Sequence, residues 1–487
     1  MQRFIKTTIV FLIICLLIPS ITIAQRNLDK YKKEAISWID ENEGMMNDAA
    51  KSIWDYEETA LLEYRSAEEL AKMLERYGFT VERGVAYMPT AFIATYGSGE
   101  PVIGILAEYD ALPGLSQKAG TAYKDALNPG KGGHGCGHNL FGVASTGAAI
   151  AIKEIMEKRN LSGTVKLFGC PAEETVVGKV YMAKEGLFDD LDICFDWHPG
   201  SRNSVGLGTS NAMNNFEVTF HGKTAHSAGD PWNGRSALDA VELMNIGVNF
   251  LREHVIPTVR IHYVIPEAGK APNVVPDYTK VWYYVRDKDR QGVELVYDKI
   301  LKIAEGATLM TGTTHEVYLI TGVYNYLKNR KVAELIQKNL EIVGPPPFTQ
   351  EEHDFAKDIQ KNLNKDEEGL HSEVSPLTEP KGYLGGGSTD VADVSWIVPT
   401  ASLSTACWPL NAPGHSWVVT TCSGSSIGFK GMQTAAKTLA ASGIEALMNK
   451  KIIEDARKEF EEKTAGFTYK SAVPDNQRAR LPEQIKK

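Results

Sequence analysis

Basic residues are in deficit in this chain, and long apolar runs are missing beyond its first two dozen residues. Lys and Arg total 52 against 61 Asp and Glu, a formal net charge of −9. An acidic balance argues against nucleic acid or an anionic membrane as the partner. One apolar run is long enough to need an explanation. Arg3 and Lys6 precede the uncharged stretch Thr7 to Ala24, which ends in Thr22-Ile23-Ala24 before Gln25. This is the pattern of a signal peptide cut after Ala24; an uncleaved anchor is the rival, disfavoured by Pro19-Ser20 and the small last residue. Cys15 lacks the small-residue context of a lipid-attachment site. The expectation is a secreted or periplasmic protein with no membrane contact after cleavage, and loss of the leader takes the net charge from −9 to −11.

Cysteine is scarce as well, with six in 487 residues and one of them, Cys15, inside the leader. The odd remainder excludes complete pairing. Cys170 with Cys194, or Cys407 with Cys422, could pair in an oxidising compartment, yet at least one thiol stays free, and Cys136 has the clearest use for one. Internal repeats are absent. Gly385-Gly386-Gly387-Ser388-Thr389-Asp390 lacks the lysine that a phosphate loop requires after its glycines.

What is present is an alternation of strands and helices. Residues 31 to 80 are helical and amphipathic, with Trp38, Ile39, Leu61, Leu62, Leu70 and Leu74 at three-to-four spacing. Val102 to Ala107, Thr164 to Phe168, Leu191 to Phe195 and Thr400 to Ser404 read as buried strands, and Leu140 to Lys158 as a helix. Such alternation predicts an α/β catalytic domain with a mainly parallel sheet. Between Asn211 and Gly322 the order becomes strand, helix, strand, strand, helix, strand, a ferredoxin-like α+β unit inserted into the first fold. The expected segmentation is a signal peptide at 1–24, a catalytic domain in two parts at 25–211 and 323–487, and an inserted unit at 212–322. The proline-bearing stretch from Gly344 to Pro380 is expected to be an excursion or flap, and the tail from Glu454 a helix followed by a surface extension.

The chemistry concentrates in His134-Gly135-Cys136-Gly137-His138-Asn139. A thiolate and an imidazole two positions apart can reach one cation, and the glycines let the loop fold tightly. Candidate partners sit just beyond buried strands, where functional groups of such sheets collect: Glu173-Glu174, His198 and His415. Each has an ordinary alternative. Adjacent glutamates suit a solvated helix start, and a lone His198 or His415 suits a core or a turn. His134 reads better as a donor that holds the loop, or as loop packing, than as a ligand.

In this order, Glu-Tyr-Asp-Ala-Leu-Pro-Gly (Glu108 to Gly114), Gly-Cys-Gly-His-Asn, Pro-Ala-Glu-Glu, Gly-Lys-Thr-Ala-His (Gly222 to His226), Gly-Gly-Ser-Thr-Asp (Gly386 to Asp390) and Pro-Gly-His form a specific combination. It resembles the metal-dependent amidohydrolase, aminoacylase and carboxypeptidase-G family over about residues 50 to 450, and within it the hippurate-hydrolase-type branch. The resemblance implies a zinc-peptidase-like fold with an inserted lid and dimerisation domain. It also implies two divalent metal ions, zinc or manganese, with cobalt also able to serve. A metal pair about 3.5–4 Å apart can deprotonate a bridging water, polarise an amide carbonyl and stabilise the oxyanion. On that template Cys136 bridges, with His138 and Glu174 on one side and His198 and His415 on the other, while Glu173 is the base and then the acid. Many relatives carry a metal-binding histidine where this chain has Glu108, which leaves Glu108 and Asp110 as groups supporting the ligands.

The inserted unit carries further matching positions. His226 and Asn273 suit an oxyanion, and Arg286 suits a substrate carboxylate, unless it merely pairs with Asp287 or Asp289 on a strand surface. Gly386, Ser388 and Thr389 offer backbone N–H groups and small side chains for substrate binding. In relatives the lid histidine reaches the active site of the partner protomer, which implies a homodimer. The implied activity is hydrolysis, by a metal-bound hydroxide, of N-acyl or N-aroyl amino acids of the p-aminobenzoyl-glutamate kind, or of dipeptides. A non-catalytic binding protein and a peptidase for longer chains are the rival readings.

Overall fold

The computed structural model describes residues 25–380 and 386–482; the expected signal peptide lies outside them. The first six strands, β1 (Thr80–Arg83), β2 (Phe92–Ser98), β3 (Val102–Glu108), β4 (Gly163–Cys170), β5 (Ile193–Gly200) and β6 (Ser204–Val205), belong to one sheet. The next four, β7 (Ala212–His221), β8 (Arg260–Glu267), β9 (Tyr278–Asp287) and β10 (Thr314–Val323), build a second sheet, and β11 (Thr400–Ala406) returns to the first. The large sheet runs β1-β2-β4-β3-β5-β11-β6. Its central strands β4, β3, β5 and β11 are parallel, and the flanking strands β1, β2 and β6 are antiparallel additions.

The central strands read as near-continuous apolar runs because both faces are covered. Ile103, Ile105, Val165, Leu167, Ile193, Phe195 and Leu403 are buried in a core shared with the helices α1 (residues 25–41), α2 (Glu43–Tyr56), α3 (Tyr64–Arg76) and α4 (His138–Arg159). Leu106, Phe168 and Cys194 belong to a second core, on which α5 (Gly178–Lys184) packs.

The second sheet is antiparallel in the order β10-β7-β9-β8. Its inward residues Phe216, Val218, Phe220, Val281, Tyr283 and Val285 pack against α6 (Ala237–Leu251) and α7 (Arg290–Thr311). Strand side chains alternate between faces, so Asn215, Trp282, Tyr284 and Arg286 lie on the opposite face. The strand-helix-strand-strand-helix-strand order matches the alternation seen in the sequence.

One expectation needs correction. The stretch from Gly344 to Pro380 follows α8 (Arg330–Val343) and contains a regular helix, α9 (Gln350–Asn362). A capping box starts it: the Thr349 hydroxyl accepts from Glu352 N–H and the Glu352 carboxylate accepts from Thr349 N–H. Buried Ala356 and Ile359 seat this helix, and the Gln360 amide donates to Leu410 O at 2.8 Å. After α10 (Val391–Ser395), α11 (Trp417–Ser423), α12 (Ser426–Met448) and α13 (Lys450–Lys463), the chain runs on over the surface without helix or strand, as expected, and is anchored at a few points. Val473 and Ala479 are buried in the core around α5 and α10, and the Tyr469 hydroxyl donates to Asp393 at 2.7 Å.

Candidate active site

The carboxyl ends of the parallel strands converge on one point, as open α/β sheets require. Glu108 ends β3, with Asp110 two residues on; Glu173 and Glu174 open the turn after β4; His198 lies near the end of β5; His415 follows β11. Cys136 and His138 come from the loop that becomes α4. Gly137 caps that helix at φ +78°, a left-handed conformation, and a Cβ there would approach Pro199 Cβ to 3.0 Å, so only glycine fits the turn. Ala172 and His415 are left-handed without being glycine, with φ of 58° and 50°. Strain of this kind, of order 1–3 kcal/mol each, gathers at functional sites.

The ligand atoms form overlapping groups. Cys136, His138 and His198 lie within 4.8 Å of one another, as do Cys136, Glu174 and His415. Cys136 Sγ is common to both and stands 3.4 Å from His198 Nε2, while His415 Nε2 is 3.5 Å from Glu174 Oε2. By distance, then, His138 groups with His198 and Glu174 with His415, each pair together with Cys136. The neighbouring strand β5 brings His198 to His138, and the β4 and β11 loops bring Glu174 to His415. A third group, Glu108, His138 and Glu173, meets the same distance limit.

Supporting contacts fix the imidazoles. His138 Nδ1–H donates to Asp110 Oδ1 at 2.8 Å, whose Oδ2 accepts from Glu174 N–H at 2.9 Å. His198 Nδ1–H donates to Pro199 O at 2.7 Å, which leaves Nε2 toward Cys136. This is how metal-binding histidines are held. His134 has neither ring nitrogen to spare: Nε2–H donates to Ile53 O at 3.0 Å and Nδ1 accepts from Asn139 N–H at 3.2 Å.

The site is crowded with acids. Burial pushes Glu173 and Glu108 up to about 7, Asp196 to about 7, Glu174 to about 8 and the Cys136 thiol to about 12. Burial works against the charged form of His138, yet Cys136, Asp110 and Glu108 hold it well above its ordinary value. Glu174 Oε1 is buried with no hydrogen-bond partner, and the buried Glu108 Oε2 and His138 Nε2 lie 3.2 Å apart without forming a hydrogen bond. Orphaned acceptors beside a thiol and imidazoles fit divalent cations, which would supply the missing positive charge.

A lysine missed in the sequence does part of this neutralising. Lys179 is fully buried in α5, its Nζ 2.6 Å from both Glu108 Oε1 and Asp390 Oδ1, and its N–H donates to Asp390 Oδ2 at 2.8 Å. Gly178 brings it there, since a Cβ at that position would lie 2.0 Å from Pro171 O. Lys179→Met leaves two buried carboxylates facing each other and is expected to cost about 3–5 kcal/mol of stability, read by urea unfolding.

A cavity of about 560 Å³ opens over the ligand set. Cys136, Glu173, Glu174, His198 and His415 line it, with Asp196, Tyr284, Arg286, Gly387, Ser388 and Thr389. Arg286 has no carboxylate partner among the described residues, and its Nε is buried and unsatisfied. Gly386 is exposed and its carbonyl accepts from the Asn211 amide at 2.6 Å. His226 and Asn273 do not join this cavity. They are exposed neighbours on the second sheet's loops, where Ser227 N–H donates to Asn273 O at 3.1 Å and His226 Nδ1 accepts from Gly229 N–H at 3.0 Å. The five described cysteines are all free thiols.

The model of peptidase family M20/M25/M40 matches residues 104–406. The chain is 40% identical over 457 residues to one of the chains of p-aminobenzoyl-glutamate hydrolase from Escherichia coli, covering 88% of this chain and 94% of that one. It is 28% identical to the mouse Xaa-Arg dipeptidase over 457 residues, 90% of this chain and 94% of the relative. Among solved structures, a dinuclear metal-binding peptidase of the M20 family from Bacillus subtilis shares the fold, with a TM-score of 0.52, 17% identity, and coverage of 84% of this chain and 99% of that one.

Proposed function

The chain belongs to peptidase family M20/M25/M40, and from that premise we propose that it hydrolyses the amide bond joining an acyl group to an amino acid whose carboxylate is free. N-acyl and N-aroyl amino acids and dipeptides are the class. One observation carries this reading: the unpaired guanidinium of Arg286 shares a small cavity with the Cys136-centred ligand set. The substrates named for the relatives, p-aminobenzoyl-glutamate and Xaa-Arg dipeptides, are both amides of an amino acid.

Cys136 would serve both cations, His138 and His198 one, Glu174 and His415 the other. Two divalent cations there supply Lewis acidity to the amide carbonyl and lower the pKa of the attacking water. Zinc suits the thiolate and imidazoles best, and manganese is the alternative. Arg286 binds the substrate carboxylate, and the N–H groups and hydroxyls of Gly387, Ser388 and Thr389 border the same pocket. Glu173 takes a proton from the water and delivers it to the leaving amine nitrogen. Residues 212–322 act as a lid and dimer contact, so that His226 and Asn273, which stand off their own cavity, serve the partner's oxyanion. The leader directs the protein out of the cytoplasm.

The test is amine release by the metal-loaded mature protein from N-acyl amino acids, p-aminobenzoyl-glutamate and dipeptides. Turnover confined to substrates with a free carboxylate is expected. Arg286→Ala should raise KM roughly ten- to hundredfold, the loss of a charge-assisted pair, with a smaller change in kcat. Silence across the panel with metal bound would move the chain to the class of binding proteins.

A further inference from the structure

The turn that carries Glu173 and Glu174 is strained at both ends. Ala172 before it and Val176 after it are left-handed, with φ of 58° and 53°, and neither is glycine. A β-branched residue in that region is a genuine outlier, and such strain persists only where the surroundings over-determine it. The turn closes on itself through Thr175 N–H to Ala172 O at 3.3 Å and Val176 N–H to Glu173 O at 2.7 Å. Those bonds set its shape but not its place.

Two fully buried groups from elsewhere in the chain grip its ends. Glu63, at the start of α3, holds the front: its Oε1 accepts from Ala172 N–H at 2.9 Å, and its Oε2 accepts from the Thr90 hydroxyl at 3.0 Å. Thr321 holds the back, its hydroxyl donating to Val176 O at 2.7 Å. Thr321 belongs to β10 of the inserted unit and follows a break in register after Leu319. A bulge re-aims the side chains beside it. Here the intervening Ile320 is itself fixed, its carbonyl accepting from the Tyr181 hydroxyl of α5 at 2.9 Å. Val176 lines the cavity over the ligand set, whereas Glu63 and Thr321 stand behind its wall. Removing either hold leaves a buried polar group of the turn unsatisfied, the N–H of Ala172 or the carbonyl of Val176, and frees a strained residue to relax. The Glu173 carboxyl moves with it.

We propose that Glu63 and Thr321 are positioning residues for Glu173, clamping its turn from both sides, and that Thr321 makes the placement of the base depend on the inserted unit. This rests on the reading of Glu173 as the base and adds what holds it there.

The test compares kcat, KM and metal content of metal-loaded wild-type and variant proteins, using whichever N-acyl amino acid, dipeptide or p-aminobenzoyl-glutamate the wild-type protein hydrolyses fastest. Thr321→Val keeps the shape and loses the hydroxyl; it should lower kcat roughly ten- to hundredfold, the scale of a misplaced reacting group, with KM and metal content unchanged. Thr321→Ser keeps the hydroxyl and should stay near the wild-type kcat. Glu63→Leu and Glu63→Gln form a second pair with the same expected contrast, since glutamine retains an acceptor for Ala172 N–H. Equal losses within a pair, or no loss in either member, would overturn that half of the clamp. A fall in metal content matching the lost turnover would place the effect at Glu174 and overturn the assignment to Glu173. Glu173→Gln is measured alongside: full turnover there would overturn the base reading, whereas loss there with Thr321→Val at the wild-type rate would overturn the hold by Thr321 alone. No turnover by the wild-type protein would overturn the hydrolase reading beneath both.

Discussion

Replacing Glu173 with glutamine should lower kcat by roughly 10²–10⁴-fold, the usual worth of a general base, while the bound metal content stays at the wild-type level. Glu173 lines the cavity, with Glu108 and Asp196, as an acidic group outside the thiol-centred groups that take Glu174. Its Oε2 stands 4.0 Å from His138 Nε2, close to the ligand set without joining either Cys136-centred group. Burial, with Glu108 beside it, pushes the carboxyl up to about 7, a value suited to accepting a proton and returning it near neutral pH. The sign of the pH dependence follows. A base works ionised, so kcat/KM rises with pH through the Glu173 pKa, and cations bound nearby favour the carboxylate and move that limb below 7. Metal analysis and a pH profile of the two proteins check the prediction; equal turnover in Glu173→Gln would assign the proton transfer to another group.

The second large effect falls on Cys136. Its Sγ is the atom shared by both three-residue groups, so Cys136→Ala leaves each cation with two of its three protein ligands. Even losing a group that merely supports a ligand costs about 10–100-fold in metal affinity, and removing a shared ligand should exceed that at both sites. Activity should fall with metal content, and added metal should restore it poorly. Cys136→Asp distinguishes coordination from packing. A carboxylate can also span two cations, so this variant should recover metal and part of the turnover, whereas a structural role for a half-buried thiol would make aspartate worse than alanine.

Much of this site was legible because its logic is local. A Cys-x-His pair between glycines announces a ligand loop, and strand ends point to Glu174, His198 and His415 without knowledge of the sheet order. The ferredoxin-like unit was equally readable, since alternation and helical periodicity are short-range signals. The grouping of the ligands was not. It depends on β5 lying beside β3, and that adjacency is a property of topology. Lys179 was invisible for a similar reason: a lysine on a helix reads as solvated, and the Asp390 that accepts its charge lies 211 positions away. Arg286 posed the same problem in reverse, because Asp287 and Asp289 beside it in sequence suggested pairs that the strand directs elsewhere; Asp287 accepts instead from the Thr258 hydroxyl at 2.6 Å. The capping box at Thr349 and Glu352 was a local signal, masked by the three prolines before it.

The proposed chemistry turns on two cations sharing one thiolate. Crystals of the protein grown with manganese or zinc, and measured at that metal's absorption edge, test this most directly. The expected result is two anomalous peaks per chain about 3.5–4 Å apart, both within bonding distance of Cys136 Sγ, one capped by His138 and His198 and the other by Glu174 and His415. A single peak, or a metal held by Glu108, His138 and Glu173 with Cys136 outside its coordination sphere, would contradict it.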